Sequence, residues 1–331
     1  MNRYNKAKYM LEKINMGWNL GNFLDAHDHL FSLQSDFKCK TVEEVVKLWK
    51  NPIFNLECLS SLKKVGINCI RIPITWCNFI NIEQGKISLS QPFLTFVKTI
   101  IDKAIQEKFV VILDMHHDDQ TWLKVACSKK EFKNICKTYR NIWSLIAYSF
   151  KDYGENLIFE GMNEIIDRTD PNYYDWVGKN AIFFKRLSKL YDIFIKQARK
   201  FSVENKKRTL MISTYGAQIH EVALKNFVLP KDRNLIIDLH FYSKHTDLEY
   251  YQDKFKYIRQ YFIDKRIPIV LGEIGAKKGY EDNLDIIKVY KEYADSLNIK
   301  CVLWDNGTSR KFIDRKTGEY LVDFSKIFKI K

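Results

Sequence analysis

Eight short apolar runs punctuate the chain, and stretches of helical periodicity separate most of them. The runs are Ile14–Asn19, Asn68–Ile74, Val110–His116, Leu157–Glu164, Thr209–Thr214, Leu235–Tyr242, Ile269–Gly275 and Cys301–Gly307. Most are near-continuous in Val, Ile and Leu, the pattern of parallel strands covered on both faces. Between them, Val97, Ile100, Ile101, Ala104 and Ile105 fall on one helical stripe. Phe183, Leu187, Leu190, Phe194 and Phe201 predict a second helix running from about Tyr173, and Asn283 to Leu297 a third. Eight strand–helix units in 331 residues, about 41 residues each, predict a single-domain (β/α)8 TIM barrel over residues 1–331 with no separate binding module. The competing doubly wound sheet usually carries a glycine-rich phosphate loop after an early strand. Neither G-x-G-x-x-G nor a Walker loop occurs.

Composition narrows the class without naming it. Hydrophobic residues at 46% and charged residues at 28% exclude a disordered chain. No uncharged apolar stretch approaches the 18 residues needed to span a bilayer, the best, Asn141 to Phe150, being ten long, so no membrane partner is expected. Glu12 and Lys13 stand where a secretory leader would need apolar residues. The expected compartment is the cytoplasm, or the exterior if a leader has been removed. Seven cysteines without C-x-x-C spacing predict free thiols, with Cys69 and Cys301 as small core residues. The net charge of +14 comes from lysines scattered along predicted helices, without a basic tail or Arg-rich block. That reads as a solvated surface rather than a nucleic-acid site.

The candidate chemistry lies at the ends of the runs. Trp18 and Asn19, Arg71, His116 and His117, Asn163 and Glu164, His240 and Tyr242, Glu273, and Trp304 close seven of the eight. A strand-end glutamate taken singly is more often a cap or surface charge than a catalyst. In a barrel, however, all these ends converge on the face that carries the active site.

The ordered motifs GWNLGN (17–22) with LDA (24–26), NCIRIPITW (68–76), LDMHH (113–117), FEGMNE (159–164), DLHFY (238–242), VLGEIG (270–275) and VLWDNG (302–307) make the chain resemble glycoside hydrolase family 5. The opening GWNLGN, the run WKNP (49–52) and the ending WDNG resemble its subfamily 4, the endoglucanase and xyloglucanase branch. The resemblance implies retaining hydrolysis with Glu164 as acid/base and Glu273 as nucleophile, without cofactor or metal. It further implies that Asn163 meets the sugar 2-hydroxyl, that His116 and His240 orient substrate or acid/base, and that Trp304 is the stacking platform. Arg71 is expected to hold Glu273 charged and Tyr242 to donate to it. His117 is expected either to bind sugar or to stand behind the residues that do.

Asn19, Arg71 and Tyr215 complete the expected substrate-binding set, together with His116, His117, Asn163, His240, Tyr242 and Trp304. Trp18, Trp76, Trp122 and Trp176 are further candidates for an aromatic cleft, Trp49 is either a cleft residue or an anchor, and Trp143 reads as core. His27, His29, His220 and His245 are given loop or surface roles. Adjacent strand residues point oppositely, so Asn163 and Glu164 can share a site only if the strand end is irregular. The tract Asp114, His116, His117, Asp118, Asp119 also contains metal-ligand types. A metal-dependent amidohydrolase barrel would instead present His-x-His on its first strand, where this chain has Trp18 and Asn19.

Two departures stand out. Ile165 follows Glu164 where the family usually has proline, and Lys50 replaces the glycine of W-G-N-P. The expectation is an endo-β-1,4-glucanase acting as a monomer on a β-linked polysaccharide or oligosaccharide. A β-mannanase, a silent carbohydrate-binding protein and a basic nucleic-acid binder are the rival classes.

Overall fold

The computed structural model describes residues 5–28, 37–168, 181–279 and 283–327. All eight apolar runs form strands: β1 (Met16–Leu20), β2 (Ile67–Ile74), β3 (Val110–Met115), β4 (Leu157–Glu160), β5 (Leu210–Ser213), β6 (Leu235–Ser243), β7 (Ile269–Ala276) and β8 (Lys300–Asp305). Each pairs in parallel with its neighbour, and β1 pairs with β8 to close the barrel. The sheet thus has no free edge, and helices cover its outer face. A two-stranded antiparallel hairpin, Ile80–Glu83 with Lys86–Leu89, follows β2 and was not foreseen. No described helix is long and apolar enough to cross a membrane.

The helices follow local rules. Ser128 accepts from the Glu131 N–H while the Glu131 carboxylate takes the Ser128 N–H, so a capping box starts the helix Lys129–Ser149. Asn283 caps Leu284–Ser296, the helix expected between Asn283 and Leu297. The helix Ala181–Ala198 buries Phe183, Leu187, Leu190 and Phe194 as its stripe predicts. Phe201 departs from that stripe: it lies beyond the helix end, at φ 75°, with 46% of its surface exposed. The expected start near Tyr173 falls outside the described residues.

Alternation within the barrel prepares the site. At the bottom, Cys69, Val110, Ile112, Ile158, Met211, Ile236, Val270 and Val302 form one apolar cluster, plugged from below by Ala7, Met10 and Leu11 of the helix Asn5–Glu12 and by Ile14. Two residues further along five of the strands, the inward face turns polar. Cys69 is followed by Arg71, Ile112 by Asp114, Ile158 by Glu160, Met211 by Ser213, and Ile236 by Asp238 and His240. One strand end therefore carries an apolar plug and the other a polar chamber.

Candidate active site

Arg71, wholly buried, is the hub of the chamber floor. Its Nε and Nη2 grip Glu160 at 2.7 Å each, its Nη1 meets Asn19 at 3.1 Å and Glu273 at 3.0 Å, and its Nη2 also meets Asn163 and Asp114, each at 2.9 Å. Burial works against its charge, but Asp114, Glu160 and Glu273 outweigh this and hold it well above its ordinary pKa. The Glu160 carboxyl is pushed up to about 7, chiefly by burial, with Arg71 opposing. Burial likewise raises Glu273, while His240 and Arg71 pull it back. Tyr242 donates to the second Glu273 oxygen at 2.7 Å, and burial together with the Glu273 charge keeps that phenol protonated. Both oxygens of Glu273 are thus held by donors, as expected of Arg71 and Tyr242.

A bulge aims Glu273. Between β6 and β7 the register runs from Leu239↔Leu271 to His240↔Glu273, so Gly272 is the extra residue. A Cβ at Gly272 would lie 2.2 Å from Asp238 Oδ1, which instead accepts the Gly272 N–H at 2.9 Å. Asp238 Oδ2 in turn meets His240 Nε2 at 2.9 Å, and His240 Nδ1 meets Glu164 Oε1 at 2.7 Å. Burial would lower the His240 imidazole, but Glu273 and Asp238 outweigh it, so the ring is held well above its usual value as an imidazolium. One oxygen of Glu164, one of Glu273 and a nitrogen of His240 lie within 4.8 Å of one another.

The end of β4 is irregular, as the Asn163–Glu164 pair requires. The strand stops at Glu160, four residues before Glu164. The Asn163 N–H donates to the Met115 carbonyl at 3.0 Å. The Ser213 hydroxyl donates to the Asn163 carbonyl at 2.7 Å, so β5 supports the loop from below.

On the opposite wall, His116 Nδ1 lies 2.5 Å from Asp114, leaving Nε2 facing Asp25 at 3.9 Å and Glu273 at 3.8 Å. Those gaps exceed hydrogen-bond length, so Nε2 is open to a hydroxyl. Burial beside His117, Arg71 and His240 keeps this ring neutral. Trp304 stacks parallel on His116 at 5.5 Å, and His117, Trp49 and His27 continue the row of rings at 4.3–5.6 Å. Trp49 therefore belongs to the wall, and His27 is buried in it rather than placed on the surface. His220 caps a short helix and His245 stacks on Tyr250. His29 and Trp176 lie outside the described residues.

Gly21 makes room for Trp304. A Cβ there would sit 2.7–2.8 Å from the indole ring and 2.8 Å from the Asp305 carbonyl oxygen. Gly21→Ala is expected to tilt the platform and raise KM on a soluble glucan about tenfold, equivalent to roughly 1.4 kcal/mol, with a smaller change in kcat. An unchanged KM would remove Trp304 from sugar binding.

Several expected contacts lie elsewhere. Asn19 gives both amide hydrogens to the Gly272 and Leu303 carbonyls and its oxygen accepts from Arg71, so it braces the floor instead of touching sugar. Arg71 is committed in the same way. Tyr215 is 1% exposed, and its hydroxyl accepts the Asp167 N–H at 2.7 Å. It holds the loop after Glu164 and does not line the cleft. Trp18, Trp76 and Trp122 are core residues, at most 2% exposed, that donate to Asp305, the Asp114 carbonyl and Asp118 respectively. Trp143 is core as expected.

Glu160, Asp238, Ser213 and Asp25 went unforeseen. The first three share the inward parity of Arg71 and His240, standing two residues after the inward Ile158, Ile236 and Met211, so following that parity along each strand would have found them. Asp25 accepts the Asn22 and Phe23 N–H groups from a loop, where no parity applies. In the mixed tract, Asp118 accepts from the Trp76 and Cys77 N–H groups and Asp119 pairs with Arg168. Asp25, His116 and His117 offer three ligand atoms within 4.8 Å of one another, as do Glu160, Asp238 and His240. Glu160 and Asp238 already accept from Arg71, His240 and the Gly272 N–H, so the second group is occupied by protein donors.

Two carboxylates facing each other, Glu273 buried and Glu164 half-buried, beside a stacked indole form the constellation the motifs imply. The model of cellulase (glycosyl hydrolase family 5) matches residues 31–310. The chain belongs to glycosyl hydrolase family 5. Within family 5, it is 32% identical to endoglucanase B of Neocallimastix patriciarum over 91% of its own length and 65% of that protein's. The chain thus spans just under two thirds of that curated relative. It superposes on a Ruminococcus champanellensis broad-specificity endoglucanase of subfamily 4, with bound cellotriose, at a TM-score of 0.87, 26% identity and coverage of 97% and 96% of the two chains. A family 5 xyloglucan-specific endo-β-1,4-glucanase from a metagenomic library, in complex with cellotriose, gives 0.85, 29% identity and 98% of both chains.

Proposed function

We propose that this protein is a retaining endo-β-1,4-glucanase acting on soluble β-glucans, xyloglucan or their oligosaccharides. The observation that carries the reading is the approach of Glu164 and Glu273, with oxygens within 4.8 Å of each other across the barrel mouth. Retaining enzymes hold their carboxyl groups about 5–5.5 Å apart, whereas inverting enzymes leave room for water at about 6.5–9.5 Å. Glu273, held by Arg71 and Tyr242, attacks the anomeric carbon while Glu164 gives its proton to the departing glycosidic oxygen. Glu164 then takes a proton from water as that water displaces Glu273 from the sugar, restoring both carboxyls. The endoglucanase names of the relatives and the cellotriose bound in two of them support a glucan substrate. Every group invoked comes from one chain, so a monomer suffices.

The test is reducing-sugar release from carboxymethyl-cellulose, barley β-glucan, xyloglucan and mannan, with the anomer of the first product followed by NMR. β-Product from a glucan supports the reading. Cleavage of mannan alone would make it a β-mannanase, α-product would refute retention, and sugar binding without cleavage would leave a silent binding protein.

A further inference from the structure

Glu164 lies beyond the hydrogen-bonded end of β4, so something other than the sheet must hold it. The loop that follows begins at Ile165, which lacks the ring by which a proline would fix such a turn. Three contacts hold the loop instead. The Ile165 carbonyl accepts the Gly216 N–H at 3.0 Å, and the Tyr215 hydroxyl accepts the Asp167 N–H at 2.7 Å. The third is a side chain that folds back on the loop. Arg168 Nη2 lies 2.8 Å from Asp119 Oδ2 and 3.5 Å from the backbone carbonyl of Glu164 itself.

Both partners of this ion pair are buried, with side chains 6% and 1% exposed. Burial raises Asp119, but Arg168 and His117 outweigh it and hold the carboxyl below its ordinary value. The geometry is that of a strap. Asp119 sits in the turn His117–Gln120, directly after His116, so the pair joins the loop bearing Glu164 to the turn bearing the histidine wall. It sets the spacing between the proton donor and whatever the wall holds.

We propose that Arg168 is a positioning residue for Glu164, acting through its ion pair to Asp119. This rests on Glu164 being the acid/base. A misplaced acid slows expulsion of a poor leaving group far more than of one that departs without a proton.

The experiment compares kcat/KM on barley β-glucan, whose leaving alcohol needs the proton, with 2,4-dinitrophenyl β-cellobioside, whose phenolate does not. The proteins are wild type, Arg168→Ala, Arg168→Lys, Asp119→Asn and, as reference, Glu164→Gln. Arg168→Ala and Asp119→Asn are expected to lose roughly 10–100-fold on the glucan and less than about threefold on the activated substrate. Arg168→Lys should recover most of the loss, and Glu164→Gln should show the same pattern more deeply. Equal losses on both substrates would overturn the proposal in favour of a general structural or substrate-contact role, and no loss would dismiss the strap. If Glu164→Gln showed no such discrimination, the acid/base assignment would fall and the strap with it. Should Arg168→Ala not fold, Arg168→Lys and Asp119→Asn carry the comparison.

Discussion

Glu273→Ala is expected to lower kcat/KM on every glucan by at least about four orders of magnitude, the scale seen when a covalent nucleophile is removed. The loss should be chemical rather than structural. Arg71 keeps Glu160 and Asp114 as partners, and Tyr242 loses one acceptor at the open end of the chamber. Circular dichroism melting should therefore show a folded protein. Azide fits the space the carboxyl vacates and would attack the anomeric carbon from the same side. With 2,4-dinitrophenyl β-cellobioside, it should restore turnover and yield the α-glycosyl azide, inverted because only one displacement occurs. A variant keeping a tenth of wild-type activity, or giving the β-azide, would place the nucleophile elsewhere.

Arg71→Met is expected to have the largest effect on stability. It removes the guanidinium that pairs with Asp114, Glu160 and Glu273, all buried. Breaking a buried pair by deleting one partner typically costs about 3–5 kcal/mol, and here three carboxyls share the lost cation, with His240 remaining beside Glu273. Burial already raises Asp114 and Glu160, and Arg71 opposes the rise in both, so its removal raises them further. Carboxyls raised in the folded state contribute stability below their unfolded values, 3.8 for Asp114 and 4.5 for Glu160, and it is lost as pH rises through the folded value, about 7 for Glu160 in the native protein. The melting temperature of the variant should thus lie closest to wild type near pH 5 and fall progressively behind it towards pH 8. Arg71→Lys keeps the charge but not the fork and should fall between them. A pH-independent deficit would mean that packing, not charge, is what Arg71 contributes.

The barrel was legible because strands buried on both faces must be apolar at nearly every position, so the eight runs stand out whatever surrounds them. Their ends were legible because parallel strands of one barrel end on one face. Glu164, Glu273, Tyr242, His240 and Trp304 could therefore be read as neighbours from residue order alone, with the motifs supplying their expected roles. Asn19 and Tyr215 show the limit of that reading. Both stand at strand ends like the others, yet one is committed to two carbonyls and the other to a backbone N–H, and only the folded chamber shows which hydrogen bonds are already made. The tryptophans repeat the point. Trp18, Trp76 and Trp304 are equally aromatic and equally close to strand ends, but Phe54 and Arg315 cover the first and Phe93 and Phe150 the second, while Gly21 opens a place for the third beside His116.

Periodicity lies in the residue order itself: which segments are strands, that they are parallel, and which residues reach the polar face of the barrel. The tertiary structure alone decided which polar groups are satisfied and which remain open, because hydrogen-bond partners come from segments tens to hundreds of residues apart. Arg168 illustrates this, since nothing local marks it, and its pairing with Asp119 exists only because two loops from neighbouring strands meet.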